Sequence, residues 1–180
     1  MAATPTGNGY WLVARDGGIF SFGDAVFRGS TGGRRLNQPI TGMASSPTGA
    51  GYWLVAGDGS VFPFGDARNY GSAAGRAGQA VVGIATAAGG EGYWLGATDG
   101  AVFPFGSAGA YGSGTTVSPV VGIAATPTGK GYWLATADGG VLSDVDAPVV
   151  TGAYGFLRIG NRGTPVRYDP CVDQRYVINP

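Results

Sequence analysis

The feature that most constrains this chain is a repeat. Gly-Tyr-Trp-Leu occurs at Gly9–Leu12, Gly51–Leu54, Gly92–Leu95 and Gly131–Leu134, at offsets of 42, 41 and 39 residues. Six residues after each Tyr stands an Asp-Gly pair, at Asp16, Asp58, Asp99 and Asp138. Aromatic alternation follows in three copies, as Phe20-Ser-Phe22, Phe62-Pro-Phe64 and Phe103-Pro-Phe105, and decays to Leu142-Ser-Asp144 in the fourth. Arg28-Gly-Ser, Tyr70-Gly-Ser and Tyr111-Gly-Ser come next, with Val150-Thr151-Gly152 as the worn fourth copy. Such self-similarity belongs to architectures in which one supersecondary unit cannot bury its apolar face alone and must pack on its neighbours.

Each unit reads as short strands joined by tight turns. Val120–Thr126 is β-branched and apolar, the pattern of a strand buried on both faces. Pro127–Gly131 is a loop, and Tyr132–Thr136 a second strand. Asp138-Gly139 predicts a type I′ hairpin turn. Phe62-Pro63-Phe64 opens a third strand with both rings on one face. Pro63 and Pro104 confine that strand to an edge, so only three strands are expected to pair well, with the Tyr-Gly-Ser piece loosely attached. No segment carries helical periodicity, and 36 glycines in 180 residues disfavour helices. The expected class is all-β: a β-propeller of four repeats of about 40 residues, four-bladed or an arc of a larger ring, with a β-solenoid as the alternative. The repeat domain spans residues 1–152; residues 153–180 form a Gly-rich connector and an extra strand or tail. Met1 aligns inside the first strand of a unit, which predicts that the chain is a piece of a longer protein.

Composition narrows function by exclusion. There is no histidine, so Ser-His-Asp and Cys-His catalysis and His-containing zinc sites cannot be built from these residues. Cys171 is alone, so the chain can form neither an internal disulfide nor a Cys cluster. Eleven basic residues balance eleven acidic ones, which supports neither nucleic-acid binding nor a polybasic membrane patch. The uncharged stretch from Gly100 to Gly129 is broken throughout by Gly, Ser, Thr and Pro, so no membrane insertion is expected. The opening residues Met1–Gly7 lack the basic segment and apolar run expected of a signal peptide. No cofactor is expected.

The repeated residues divide by role. Tyr10, Trp11, Tyr52, Trp53, Tyr93, Trp94, Tyr132 and Trp133, with Phe20, Phe22, Phe62, Phe64, Phe103 and Phe105, are assigned to the core between units. Tyr and Trp are adjacent, so they point to opposite faces of a sheet. The alternative role for the Trp set is a sugar-stacking platform. Asp16, Asp58, Asp99 and Asp138 are assigned to turn chemistry, because catalysis needs two dissimilar carboxylates and not four equivalent ones. Asp24, Asp66 and Asp146 have the same reading, with Ser107 in the third copy. Positions that vary between copies are the better specificity candidates. Asn8, Ala50, Glu91 and Lys130 share one loop position, and Arg15, Gly57, Thr98 and Ala137 share another. Arg34, Arg35 and Arg76 lie in the connections, where guanidinium groups suit anionic glycan or carboxylate. The candidate ligand-binding set is therefore Arg15, Arg34, Arg35, Arg76 and Thr98; the alternative is a solvated loop surface.

The pattern Thr-Pro-Thr-Gly-x-Gly-Tyr-Trp-Leu-Val-Ala-x-Asp-Gly-Gly-x-Phe-x-Phe-Gly-Asp-Ala resembles repeats of secreted actinobacterial proteins, over residues 1 to about 152. There the repeats accompany varied hydrolase domains. The resemblance implies a non-catalytic, extracellular binding or display module, with cell-wall or extracellular polysaccharide or a protein as partner. Thr164–Cys171 and Arg175–Pro180 resemble the opening strand of matrixin-like zinc metalloproteases. That likeness implies an accessory domain whose catalytic part, with a disulfide partner for Cys171, lies elsewhere. A structural spacer or self-assembling fragment is the third reading.

Overall fold

The computed structural model describes residues 1–114 and 116–145. The expected boundary at 152/153, the copies at Asp146 and Val150–Gly152, and the tail with Arg158, Arg162 and Cys171 lie outside them.

The described residues form twelve strands in four antiparallel sheets, each built from one repeat. They are β1 Ala2–Ala3, β2 Gly9–Val13 and β3 Ile19–Gly23; β4 Ile40–Ser45, β5 Gly51–Ala56 and β6 Val61–Gly65; β7 Val81–Thr86, β8 Gly92–Ala97 and β9 Val102–Gly106; β10 Val120–Ala125, β11 Gly131–Thr136 and β12 Val141–Val145. The Gly-Tyr-Trp-Leu strand is the middle one in every sheet. Each repeat pairs only with itself, which rules out the β-solenoid alternative: stacked coils hydrogen-bond equivalent strands of successive copies into continuous sheets. The sole helical element among the described residues is a 3-10 turn at Ala88–Gly90.

The third strand is an edge strand throughout, which accommodates Pro63 opposite Trp53 and Pro104 opposite Trp94. The Tyr-Gly-Ser segments do not join the sheets. They return across the gap between one sheet and the next as irregular chain, held by side chains from both. Trp11, Trp53 and Trp94 donate their indole N–H to the carbonyls of Val26, Arg68 and Gly109, at 3.0, 2.6 and 2.8 Å. From the following sheet, Tyr52, Tyr93 and Tyr132 donate to the carbonyls of Gly29, Gly71 and Gly112, at 2.6, 2.6 and 2.7 Å. The adjacent Tyr and Trp thus serve two different joints. Trp faces forward to the next sheet, and Tyr faces back to the previous one. Their rings meet as Trp11–Tyr52, Trp53–Tyr93 and Trp94–Tyr132, with centroids 5.5–5.8 Å apart.

Three apolar clusters lie in the three gaps between successive sheets. The first strands β4, β7 and β10 run beside one another at the inner edge of the array. Gly42 makes one of these approaches feasible, since a Cβ there would stand 3.0 Å from the Gly83 Cα. Sheets pack in chain order, and no substantial packing of the fourth on the first is seen among the described residues.

Two expectations are corrected by this arrangement. The strand β10 is not buried on both faces: Val121 is 58% exposed, because β10 belongs to the last sheet and only its rear face meets a neighbour. Tyr10, Phe20 and Phe22 do not lie between units. Tyr10 is 40% exposed and stacks on Phe22 at the open rear face of the first sheet, because no sheet precedes it among the described residues. Tyr52, Tyr93 and Tyr132, in contrast, are at most 1% exposed, and Trp11, Trp53 and Trp94 likewise. Phe62, Phe64, Phe103 and Phe105 are partly buried against the clusters, and Trp133 is half-buried on the forward face of the fourth sheet.

Candidate functional site

Two ends of the array carry the polar residues of the repeat. At one end lie the hairpin turns between second and third strands. Gly17 N–H donates to the Ala14 carbonyl (2.9 Å), which closes the turn on Arg15 and Asp16, and Gly17 takes φ +83°. Gly59, Gly100 and Gly139 repeat this bond and this conformation. The expected two-residue type I′ turn is therefore replaced by a three-residue loop in which the Gly alone is left-handed and forms a bulge. Asp16 completes it by accepting the Gly18 N–H (2.9 Å), and Asp58, Asp99 and Asp138 accept from Ser60, Ala101 and Gly140. All four carboxylates are spent on the residue two places on. The Thr136 hydroxyl also donates to Asp138 (2.6 Å), and that bond foremost holds the Asp138 carboxyl below the usual range.

The variable position before each Asp has a main-chain task. The carbonyls of Arg15, Gly57 and Thr98 accept the N–H groups of Ile40, Val81 and Val120, at 2.8, 2.9 and 2.9 Å, tying each turn to the first strand of the next sheet. Only the backbone is used, so the side chain is free to differ between copies. Arg34 and Arg76 occupy equivalent tight turns, their N–H groups donating to Thr31 and Ala73. Thr31 in turn bonds the Asp16 carbonyl (3.2 Å), which places this connection at the hairpin end. Arg15, Arg34, Arg35 and Arg76 are exposed there and Thr98 is half-buried. The Arg76 guanidinium stands over the Phe105 ring, 5.9 Å from its centroid, so it is partly committed to packing.

At the opposite end a second polar cluster was not anticipated from the sequence. Thr4 donates to Asp24 Oδ1 (2.8 Å) and Thr6 to Asp24 Oδ2. Thr48 donates to Asp66, with Ser46 beside it. These hydroxyl bonds are the main cause of the lowered Asp24 and Asp66 pKa values. The third repeat has lost donors and acceptor together: Ala87, Gly89 and Ser107 stand in their places. That joint loss is legible by comparing the copies. Asn8, Ala50 and Glu91, the other variable set, again contribute carbonyls, to the N–H groups of Asp24, Asp66 and Ser107.

The Trp set does not form a sugar platform in the first three sheets, because Trp11, Trp53 and Trp94 are buried. A cavity of about 140 Å³ opens beside Trp94, lined also by Pro104, Gly109 and Tyr111. It sits where the connection to the next sheet is shorter and Gly114 replaces Ala73, which packs into the core of the second repeat. Among the described residues no three His, Cys, Asp or Glu side chains gather as a metal site. Among the described residues no helix is long and apolar enough to cross a membrane. No family model matches the chain, and no curated protein matches it.

Proposed function

We propose that the chain is a non-catalytic β-propeller module, its sheets forming blades of a four-bladed ring or of an arc of a larger one, that binds anionic extracellular polysaccharide at its hairpin end. The serial packing of three-stranded sheets, with Gly-lined first strands at the inner edge, supports the propeller geometry. One observation carries the binding reading. At the hairpin end the scaffold uses only main-chain atoms of the variable positions, while Arg15, Arg34 and Arg35 stand exposed there. Guanidinium groups present planar, fixed donors that match carboxylate and sulfate groups of a glycan. The hairpin carboxylates Asp16, Asp58 and Asp99 are bound in equivalent turns, an arrangement suited to structure and unlike the dissimilar pair that acid–base work needs.

Retention on an immobilised uronic-acid polysaccharide, against a neutral glucan, tests this. The wild-type chain is expected to be retained and released by salt. Replacing Arg15, Arg34 and Arg35 by Ala is expected to weaken binding roughly tenfold or more. Equal retention of the triple variant would overturn the reading.

A further inference from the structure

Most basic residues among the described ones stand where the fold has already engaged the main chain. The Arg15 carbonyl accepts the Ile40 N–H, and the Arg68 carbonyl accepts the Trp53 indole N–H. The Tyr52 hydroxyl holds both the Arg28 N–H and the Gly29 carbonyl. The Arg76 and Ala77 N–H groups converge on the Ala73 carbonyl, at 2.9 and 3.0 Å, and the Arg76 guanidinium lies over Phe105. Lys130 runs directly into β11, with its N–H on the Thr128 hydroxyl. The connection from β3 to β4 differs. It is pinned at two buried residues, Thr31 and Ile40, and between them Gly32, Gly33, Arg34, Arg35, Asn37, Gln38 and Pro39 are exposed. The Arg34 N–H closes one turn on the Thr31 carbonyl (2.9 Å), but from Arg35 to Gln38 no N–H or carbonyl bonds another main-chain group among the described residues.

We propose that the Arg35–Leu36 peptide bond is a processing site for an arginine-specific, trypsin-like serine endopeptidase. Such an enzyme takes the arginine side chain in an acidic pocket and seats the scissile carbonyl on its own oxyanion donors. A peptide group already bonded within the fold reaches those donors only after local unfolding, whereas Arg35–Leu36 is free to be seated. The half-buried Leu36 side chain must lift off the first inter-sheet cluster, a smaller demand than opening a hairpin or a joint. Water adds across the bond: its hydroxyl joins the Arg35 carbonyl carbon, the C–N bond breaks, and the proton goes to the Leu36 nitrogen. The product is a nicked chain that stays folded. Trp11 and Ala25 of the piece 1–35 remain packed on Ile40, Met43, Tyr52 and Leu54 of the rest. The Tyr52 hydroxyl still holds the Gly29 carbonyl, and Ile40 still bonds Arg15. This inference does not depend on glycan binding, which is read by retention and not by cutting.

Limited digestion of the full chain with trypsin, followed by intact-mass spectrometry, tests the proposal. Among cuts within residues 1–145, the first is expected after Arg35, giving the fragment Met1–Arg35. The double variant Arg34→Gln/Arg35→Gln is expected to lose that cut and keep the wild-type thermal midpoint, because both side chains are exposed. The two pieces of the nicked wild type should co-elute on size exclusion in native buffer and separate in urea. A first cut after Arg15, Arg28, Arg68, Arg76 or Lys130 would overturn the proposal. So would a native chain left whole across residues 1–145 under conditions that cut the urea-unfolded chain there. Separation of the two pieces in native buffer would overturn the nicked, folded product.

Discussion

The Tyr93 hydroxyl donates to the Gly71 carbonyl at 2.6 Å and accepts the Tyr70 N–H at 3.2 Å. One phenol from the third sheet thereby satisfies two main-chain groups of a segment belonging to the second repeat. Gly71 has φ +133° there, and a Cβ would stand 2.5 Å from the Phe105 ring, so the same turn requires both the glycine and the tyrosine. The Tyr-Gly-Ser landmark and the Gly-Tyr-Trp-Leu landmark are two halves of one joint.

Tyr93→Phe is therefore expected to destabilise the chain by about 1–3 kcal/mol, the cost of leaving those two groups unpaired in a closed gap. Urea denaturation checks it. Tyr10→Phe is the control: its ring lies at an open face, and its loss of a hydroxyl should change the midpoint little.

Trp94→Ala should cost about 3–5 kcal/mol, because the side chain is 1% exposed and also holds the Gly109 carbonyl. Trp133→Ala should cost clearly less, since Trp133 is only half-buried. Equal losses at the two sites, measured by the same denaturation, would contradict the difference in their surroundings.

Asp24 and Asp66 should give the fold an acid-sensitive component. Hydroxyl bonds from Thr6 and Thr4, and from Thr48, hold their folded pKa values below the ordinary carboxylate range. A carboxylate with a depressed folded pKa contributes stability that is fully present above its unfolded value, about 3.9. That contribution is lost as pH falls through the folded value. The thermal midpoint is therefore expected to fall as pH drops below about 4, and the double variant Asp24→Asn/Asp66→Asn should show a shallower acid slope. Asp138, whose Thr136 bond acts in the same direction, is untouched in that variant and contributes to the slope that remains.

Much of the fold was legible because the repeat exposes its own rules. Strand positions follow from the apolar alternation, and Pro63 and Pro104 mark the third strand as an edge. The Asp-Gly pairs mark the hairpins, although the turn type differs because Asp16 prefers to bond the Gly18 N–H, which leaves only Gly17 left-handed. Burial was less legible. Tyr10 and Tyr52 share a motif, yet one is 40% exposed and the other 0%, since burial depends on whether a sheet lies behind and not on the residue. The variability of Arg15, Gly57 and Thr98 signalled freedom of the side chain but could not reveal that their carbonyls bridge successive sheets. Candidate binding residues on that end were placed by topology, through Thr31 and Ile40.

The glycine of Gly-Tyr-Trp-Leu offers the sharpest check on how tightly the two ends of a unit are locked. A Cβ on Gly51 would stand 2.5 Å from both Asp66 Oδ1 and the Phe64 carbonyl, and 2.7 Å from the Ala67 nitrogen. Two of these are backbone atoms of the third strand and its exit, so relief requires moving the chain and breaking the Asp66 cluster. Gly51→Ala is expected to destabilise by about 1–3 kcal/mol or more, the range for forced overpacking. Gly122→Ala introduces a Cβ that meets nothing within 4 Å, on a strand whose φ is ordinary. It should be neutral or slightly stabilising, since alanine lowers the entropy of the unfolded chain. Paired urea titrations of the two variants separate a steric lock from a mere preference for glycine in strands: similar losses at both positions would show that the close contact around Gly51 is not what selects it.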